Sequence, residues 1–376
     1  MLLHLHWPTW CSFQNMDYTD LADVARQLSD LEVAILLCFV AREHCLIETT
    51  SHCINDLAKE LALIGSATFN HSYCILDCSS ATSIDDIFND ALTPDARANY
   101  RPSRQWLTTE SSSKRSSYKS IGDYSKSPTP FSQPSSNVVN IVVAKNFNFV
   151  DDDIQMHMLQ LMRSRELVTE SGTLIAPQDF LFIPLVTRDF DQLKPPLKLH
   201  MNDNLFISHF HGPEDGYTYL EENDWLSDGQ MSASSVIHKS KGKQPKSPTV
   251  SPLVMKQLRE TSASVSMNAE VVRYIQDIVV FLRLSRAVAG GVSANANIQF
   301  SRFAQLLAPL HGLDYLTPSI VALAARKVFR HRIIVTPPGE DRSLQYGSDL
   351  HAISDVLADV TPDSILDGVL ALEPPL

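Results

Sequence analysis

Along the first hundred positions the apolar residues switch between two spacings. Leu21, Val24, Leu28 and Leu31 recur at i, i+3, i+7 and i+10, which predicts a helix over 17–42. Cys45–Glu48 is a short run that predicts a buried strand. Leu57, Leu61 and Ile64 share one face of a helix expected over 54–64, and 72–78 reads as another strand. Ser83, with Asp86 three residues on, has the form of a capping box and predicts a helix start. After a long polar gap the alternation resumes. Strand runs at 138–143, 180–186 and 205–210 flank a helix expected over 151–163, with Ile154, Met158 and Leu161 inward. Asp151, Asp152 and Asp153 sit at its positive end. Strands alternating with helices at this spacing predict a parallel sheet covered by helices.

Beyond 266 the period is helical. Val271, Ile275, Ile278 and Leu282 form a stripe expected to pack on Leu306, Leu310 and Leu323. Phe300–Leu307 marks a second helix, and Thr317-Pro318 starts a third. Two segments lack any apolar period. The stretches 101–136 and 223–266 are dominated by Ser, Lys, Thr and Pro and are expected to be disordered, with Ser127-Pro128 and Ser247-Pro248 as candidate phosphorylation sites. The expected order is a tail at 1–16, an α/β domain at 17–222 with 101–136 inserted, and a linker at 223–266. A helical domain at 267–336 and a C-terminal tail at 337–376 with one helix complete it.

Composition narrows the function classes. Apolar residues make up 44% and charged residues 20% of the 376, enough for a sizeable core. With 31 basic and 43 acidic residues the net charge is −12, which argues against a nucleic-acid or anionic-membrane partner. The longest apolar stretch, 33–41, is nine residues, against the ~20 needed to span a bilayer. The first fifteen residues lack the pattern of a secretory leader, so a soluble cytoplasmic protein with reduced thiols is expected. Cys45, His52, Cys53, His71, Cys74 and Cys78 crowd together, and either buried thiols or a zinc site could use them. Cys74 and Cys78 would lie about 13 Å apart along one strand, which favours thiols. His209 and His211 are a second pair with metal-ligating side chains. No G-x-S-x-G nucleophile turn is present.

Three passages carry a family resemblance. The strand Val142-Val143 leads through Asp151–Asp153 into Ile154-Gln155-Met156-His157-Met158-Leu159-Gln160-Leu161-Met162-Arg163. The strand Phe180-Leu181-Phe182-Ile183 follows, and then Ala308-Pro309-Leu310-His311-Gly312-Leu313-Asp314-Tyr315-Leu316-Thr317-Pro318 and His331-Arg332. In this order they resemble AAA+ ATPases of the MoxR and magnesium-chelatase small-subunit group, fungal magnesium chelatase-like proteins in particular. The resemblance implies an AAA+ type α/β fold with an all-α lid. It also implies ATP and Mg²⁺ as ligands and assembly with homologous AAA+ subunits, as in a ring.

The chemical parts of that family are nevertheless degraded. A phosphate loop needs glycines, a lysine and a Ser/Thr on magnesium. Here the loop reads Thr49-Thr50-Ser51-His52-Cys53-Ile54-Asn55, and the nearest lysine, Lys59, lies a turn into the helix. Only 13 glycines occur in the whole chain, about half the usual ~7%. The acidic pair that would hold Mg²⁺ is replaced by Ala144-Lys145. Thr187 stands at the first sensor position and Asn295 at the sensor arginine, and the finger segment 197–203 has no arginine. Thr49, Thr50, Ser51, Lys59, Thr187 and Asn295 are therefore candidate remnants of a nucleotide site, with no catalytic residue and no metal ligand among them. The expectation is a catalytically inactive AAA+ module without a cofactor, acting through homologous subunits or another protein. The alternatives are an active ATP- and Mg²⁺-dependent magnesium chelatase-type subunit and an acidic protein-binding scaffold.

Overall fold

Ser29 divides the expected N-terminal helix in two. In the computed structural model, which describes residues 18–92, 135–169, 172–188, 197–222 and 250–371, α1 spans Tyr18–Arg26 and α2 spans Asp30–Ala41. The Ser29 hydroxyl accepts from the Glu32 N–H while the Glu32 carboxylate accepts from the Ser29 N–H, a capping box that restarts the helix. The apolar spacing runs straight through this break, so spacing alone reads one helix. The expected tail at 1–16 and most of the segments 101–136 and 223–266 lie outside the described residues.

The α/β unit continues with β1 (His44–Thr49), α3 (Ile54–Ala67), β2 (Tyr73–Asp77) and α4 (Ile84–Ala91), the last opened by the Ser83–Asp86 capping box. After β3 (Ser135–Asn137) come β4 (Ile141–Lys145), α5 (Asp152–Ser164), the hairpin β5 (Glu166–Thr169) and β6 (Gly172–Ile175), and β7 (Leu181–Thr187). The one-turn helix α6 (Leu199–Asp203), β8 (Leu205–His211) and the short α7 (Thr218–Glu222) close it. Five strands form a parallel sheet in the order β2-β4-β7-β1-β8. The strand expected at 138–143 starts later. Val138 makes an isolated bridge to Leu92, and β3, which takes in Ser135 and Ser136 of the expected disordered insertion, pairs with β6 in a separate small sheet.

Both sheet faces are buried, which is why the strands read as continuous apolar runs. One face sends Cys45, Ile47, Val143 and Ile183 into a core shared with α2 and α3. The other sends Leu46, Val142 and Phe182 into a second core with α5 and the hairpin. The first core continues without interruption into the helical unit, so the lid is packed on the sheet rather than tethered to it.

That helical unit comprises α8 (Pro252–Ser264), α9 (Ala269–Leu284), β9 (Val288–Gly290), α10 (Ala294–Leu310), α11 (Pro318–Phe329), β10 (Ile334–Val335), α12 (Leu350–Leu357) and α13 (Pro362–Leu370). Two boundaries change. The last part of the expected linker is α8, capped by Ser251 with proline at its first turn, burying Val254, Met255 and Leu258. Its Arg259 donates to the Phe39 and Val40 carbonyls at the end of α2, a tie that only tertiary packing creates. The expected tail with one helix holds two, and α13 packs on α9 and α11. The α9 stripe is buried as expected, but Leu323 is 38% exposed and lines a cavity together with Phe303 and Leu307. Ile278 is fully buried, so Ile278→Ala should cost about 2–5 kcal/mol in denaturant unfolding; a loss below about 1 kcal/mol would place that side chain at a relaxed site. Among the described residues no helix is long and apolar enough to cross a membrane.

Candidate functional site

In an open parallel sheet, ligands bind beyond the carboxyl ends of the strands. Register brings Thr49, Thr187 and His211 side by side at that rim, with Lys145 and Asp77 paired on the next two strands, β4 and β2. The loop Thr49–Cys53 leads into α3 here, so the fold brings Thr49, Thr50, Ser51 and Thr187 together at this rim. What it assembles is self-occupied. Thr49 is fully buried, its hydroxyl donates to the His211 carbonyl (2.8 Å), and its own carbonyl accepts from the Arg188 N–H (2.8 Å). The Thr50 carbonyl accepts from the Cys53 N–H (3.1 Å), closing the loop as a turn, and Ser51 points to solvent. No side chain caps α3. Lys59 does not reach the loop: its ammonium pairs with Asp56 at 3.5 Å on the helix surface, a contact of little energetic value.

The charges at the rim are paired with one another. Lys145, with a side chain only 13% exposed, donates to Asp77 Oδ2 and to Asn55 Oδ1, both at 2.9 Å, bridging β2 and the first turn of α3. Glu48 on β1 is buried and forms an ion pair with Arg330 at the end of α11. Arg188, just past β7, pairs with Asp363 of α13 and lies over the Phe210 ring, 5.2 Å from its centroid. A Mg²⁺–nucleotide needs free carboxylates for the metal and a free ammonium for the phosphates. Glu48 and Asp77 already neutralise the chain's own cations, and Lys145 stands where the family resemblance puts an acid. The residues present do not fit that ligand. Asp151, Asp152 and Asp153 serve the start of α5 instead, with Asp152 2.7 Å from Lys198.

The remaining metal candidates are likewise committed. His209 and His211 are buried on one face of β8, their rings 6.3 Å apart. His209 Nδ1 accepts from Lys327 Nζ (3.0 Å), and His211 Nε2 lies 3.1 Å from the Gly216 carbonyl. Burial, joined for His209 by the neighbouring Lys327 ammonium, pushes both below the usual imidazole range, His209 to about 3. Burial lifts the Cys78 thiol to about 12. Among the described residues no group of three or more His, Cys, Asp or Glu side chains is placed to hold a metal ion.

Asn295 belongs to a different part of the molecule. Its amide donates to the Asp203 carbonyl (3.0 Å), next to Ser293, whose hydroxyl donates to the Asp203 carboxylate (2.6 Å). Asp203 precedes β8, whereas the loop lies beyond the other end of the parallel sheet, roughly 20 Å away at ~3.3 Å per residue. A sensor role for Asn295 is therefore not supported by its position. It joins a staple built on His331-Arg332. The Arg332 guanidinium, 2% exposed, donates to the carbonyls of Asp203, Leu205, Phe206 and Val328 and to Gln299, with Asp203 Oδ1 at 3.7 Å from Nε. His331 Nε2–H donates to the Leu205 carbonyl (3.0 Å), and the His331 carbonyl accepts from Asn202. Gly291 makes room for this: at φ +95°, a Cβ there would come within 1.7 Å of the Arg332 carbonyl oxygen. Sequence inspection quotes His331-Arg332 without giving the pair a task. It also misses Glu48, although a carboxylate inside a buried strand run demands a partner and was the available signal.

Three comparisons bear on this arrangement. Residues 281–349 match the model of the AAA lid domain. The chain is 33% identical over 98 residues to "Maintenance of telomere capping protein 2" of Lachancea thermotolerans, a match covering 25% of this chain and about a third (34%) of that protein's length. Its fold is similar to the crystal structure of a "putative ATPase" from Cytophaga hutchinsonii, with TM-score 0.54 at 14% identity over 91% of this chain and 94% of the other. The parallel sheet, the helices on both its faces and the matched lid together make this an α/β AAA+ fold carrying an AAA lid domain.

Proposed function

We propose that the chain is a catalytically inactive AAA+ type module that works through protein contacts, as a subunit or regulator of homologous or other partner proteins. The observation that carries this reading is the mutual neutralisation of the rim charges: Lys145 with Asp77, Glu48 with Arg330, Arg188 with Asp363. Two of these three pairs join the sheet to the lid or to α13, so the lid is held on the sheet by the chain's own groups rather than by a nucleotide. The name of the Lachancea relative supports a role connected with telomere capping. With a net charge of −12, that role would be reached through a protein partner and not by direct contact with DNA.

Purified protein should show no ATP turnover above background with Mg²⁺ and no saturable binding of a fluorescent ATP analogue. Replacing Ala144 by Asp and Lys145 by Glu, together with glycines and a lysine in 49–55, should restore binding before turnover. Mg²⁺-dependent hydrolysis by the unaltered chain at ~1 s⁻¹ or faster would overturn the reading in favour of a working chelatase-type motor.

A further inference from the structure

Between α1, α2, β8 and the lid helices α10 and α11 lies a cavity of about 530 Å³, within the size range of small-molecule sites. Most of its wall is apolar and itself buried, including Leu37 of α2, Ile207 of β8, and Phe303 and Leu307 of α10. Arg26, Asp30 and His311 stand at its exposed mouth. One corner differs. There Lys327 of α11 donates to His209 Nδ1 at 3.0 Å. His209 stays neutral and accepts that bond, so it stabilises the ammonium without cancelling its charge. Among the described residues no carboxylate lies in ion-pairing distance of Lys327; Asp30 and Asp215 act on it only through the longer-range field. Burial alone already presses its pKa downward, the sign of an incompletely compensated charge.

An ammonium in an apolar recess with a neutral imidazole as its partner selects for an anion with a hydrocarbon body. We propose that this cavity binds a small apolar monocarboxylate, its head on Lys327 and its body along Ile207, Phe303 and Leu307. Asp30 at the mouth opposes a ligand carrying several negative charges, which favours a monoanion over a polyphosphate. This site lies apart from the Thr49–Cys53 loop and does not depend on whether the protein hydrolyses ATP.

The test uses the full chain and two probes of equal length, decanoate and decan-1-ol, titrated calorimetrically below their aggregation limits. Decanoate should saturate one site and bind at least about tenfold tighter than the alcohol, the value of a charge-assisted hydrogen bond. Lys327→Met should bind both alike, and Ala34→Trp, which fills the cavity from α2, should bind neither, each with circular dichroism matching the parent. Equal binding of the two probes by the parent protein, or no binding of either, would overturn the proposal. So would a folded Lys327→Met chain that keeps the carboxylate preference, or a folded Ala34→Trp chain that binds decanoate as the parent does.

Discussion

Acidifying the protein from pH 6.5 to pH 5 should remove about 3 kcal/mol of its stability through two buried histidines alone. His44 and His209 set this figure, and His331 adds to it. His44 is enclosed between β7 and α5, where Nδ1 accepts from the Phe182 N–H (3.0 Å) and the ring packs edge-on against Phe180. Burial pushes it down to about 4. His209 lies near 3, through burial and the Lys327 ammonium. His331 is held well below the imidazole range by burial, with Arg332 and Arg330 adding repulsion. His44 and His209 stay largely neutral in the fold throughout this window, while in the unfolded chain each titrates near 6.5, and the lowered His331 acts in the same direction. The unfolded state therefore binds more protons, and stability falls with falling pH, the slope rising toward about 1.4 kcal/mol per unit for each ring as the unfolded imidazole becomes fully protonated. From pH 6.5, where the unfolded ring is half protonated, to pH 5, His44 and His209 each contribute about 1.6 kcal/mol. Together that is a large fraction of the ~5–15 kcal/mol of an ordinary domain, so the protein should be markedly easier to unfold at pH 5 than at pH 6.5. The check is the urea midpoint measured across pH 5–7.5, with His209→Gln expected to remove up to about half of the slope. A midpoint flat between pH 6.5 and pH 5 would show that these rings protonate inside the fold without cost.

Arg332→Ala should cost about 3–5 kcal/mol and loosen the lid. The substitution deletes one of the largest fully buried side chains, and it strips donors from carbonyls on three elements: α6 through Asp203, β8 through Leu205 and Phe206, α11 through Val328. The Asp203 carboxylate loses its guanidinium at the same time. Removing one partner of a buried charged network costs more than the network's net worth, because the groups left behind stay buried and unpaired. Arg332 keeps its charge at neutral pH even though burial lowers it to about 10, so the loss is that of a full cation. Amide exchange in α10 and α11 should accelerate selectively while β1 and β4 stay protected. A cost below about 1 kcal/mol would mean that the lid is held by the shared apolar core alone.

The shared core and the staple also explain why the lid is legible as a family feature while its role is not. Thr317-Pro318 and the α9 stripe are local signals, and each gives a helix in the predicted place. The strands at 44–49, 181–187 and 205–211 were equally visible, because burial on both faces leaves an unbroken apolar run. Local signals failed where a neighbour decides the outcome. Residues 252–264 sit within a polar segment, but Val254, Met255 and Leu258 become a core face once α2 and α10 lie beside them.

For the site, the chain's letters were enough to establish what is missing: no glycine and no lysine in Thr49–Asn55, no acid at Ala144-Lys145. They could not say what the remaining charges do. Lys145 reaching Asp77, Glu48 meeting Arg330, and Arg188 meeting Asp363 are contacts across 68, 282 and 175 positions of chain. Asn295 went to the wrong end of the sheet for the same reason, since a motif position gives sequence order but not the crossover that carries it past β8. Apolar period and turn chemistry act within a few residues and are therefore written locally. The partner of a buried charge is chosen by which strands and helices come to rest together, and only the tertiary structure decides that.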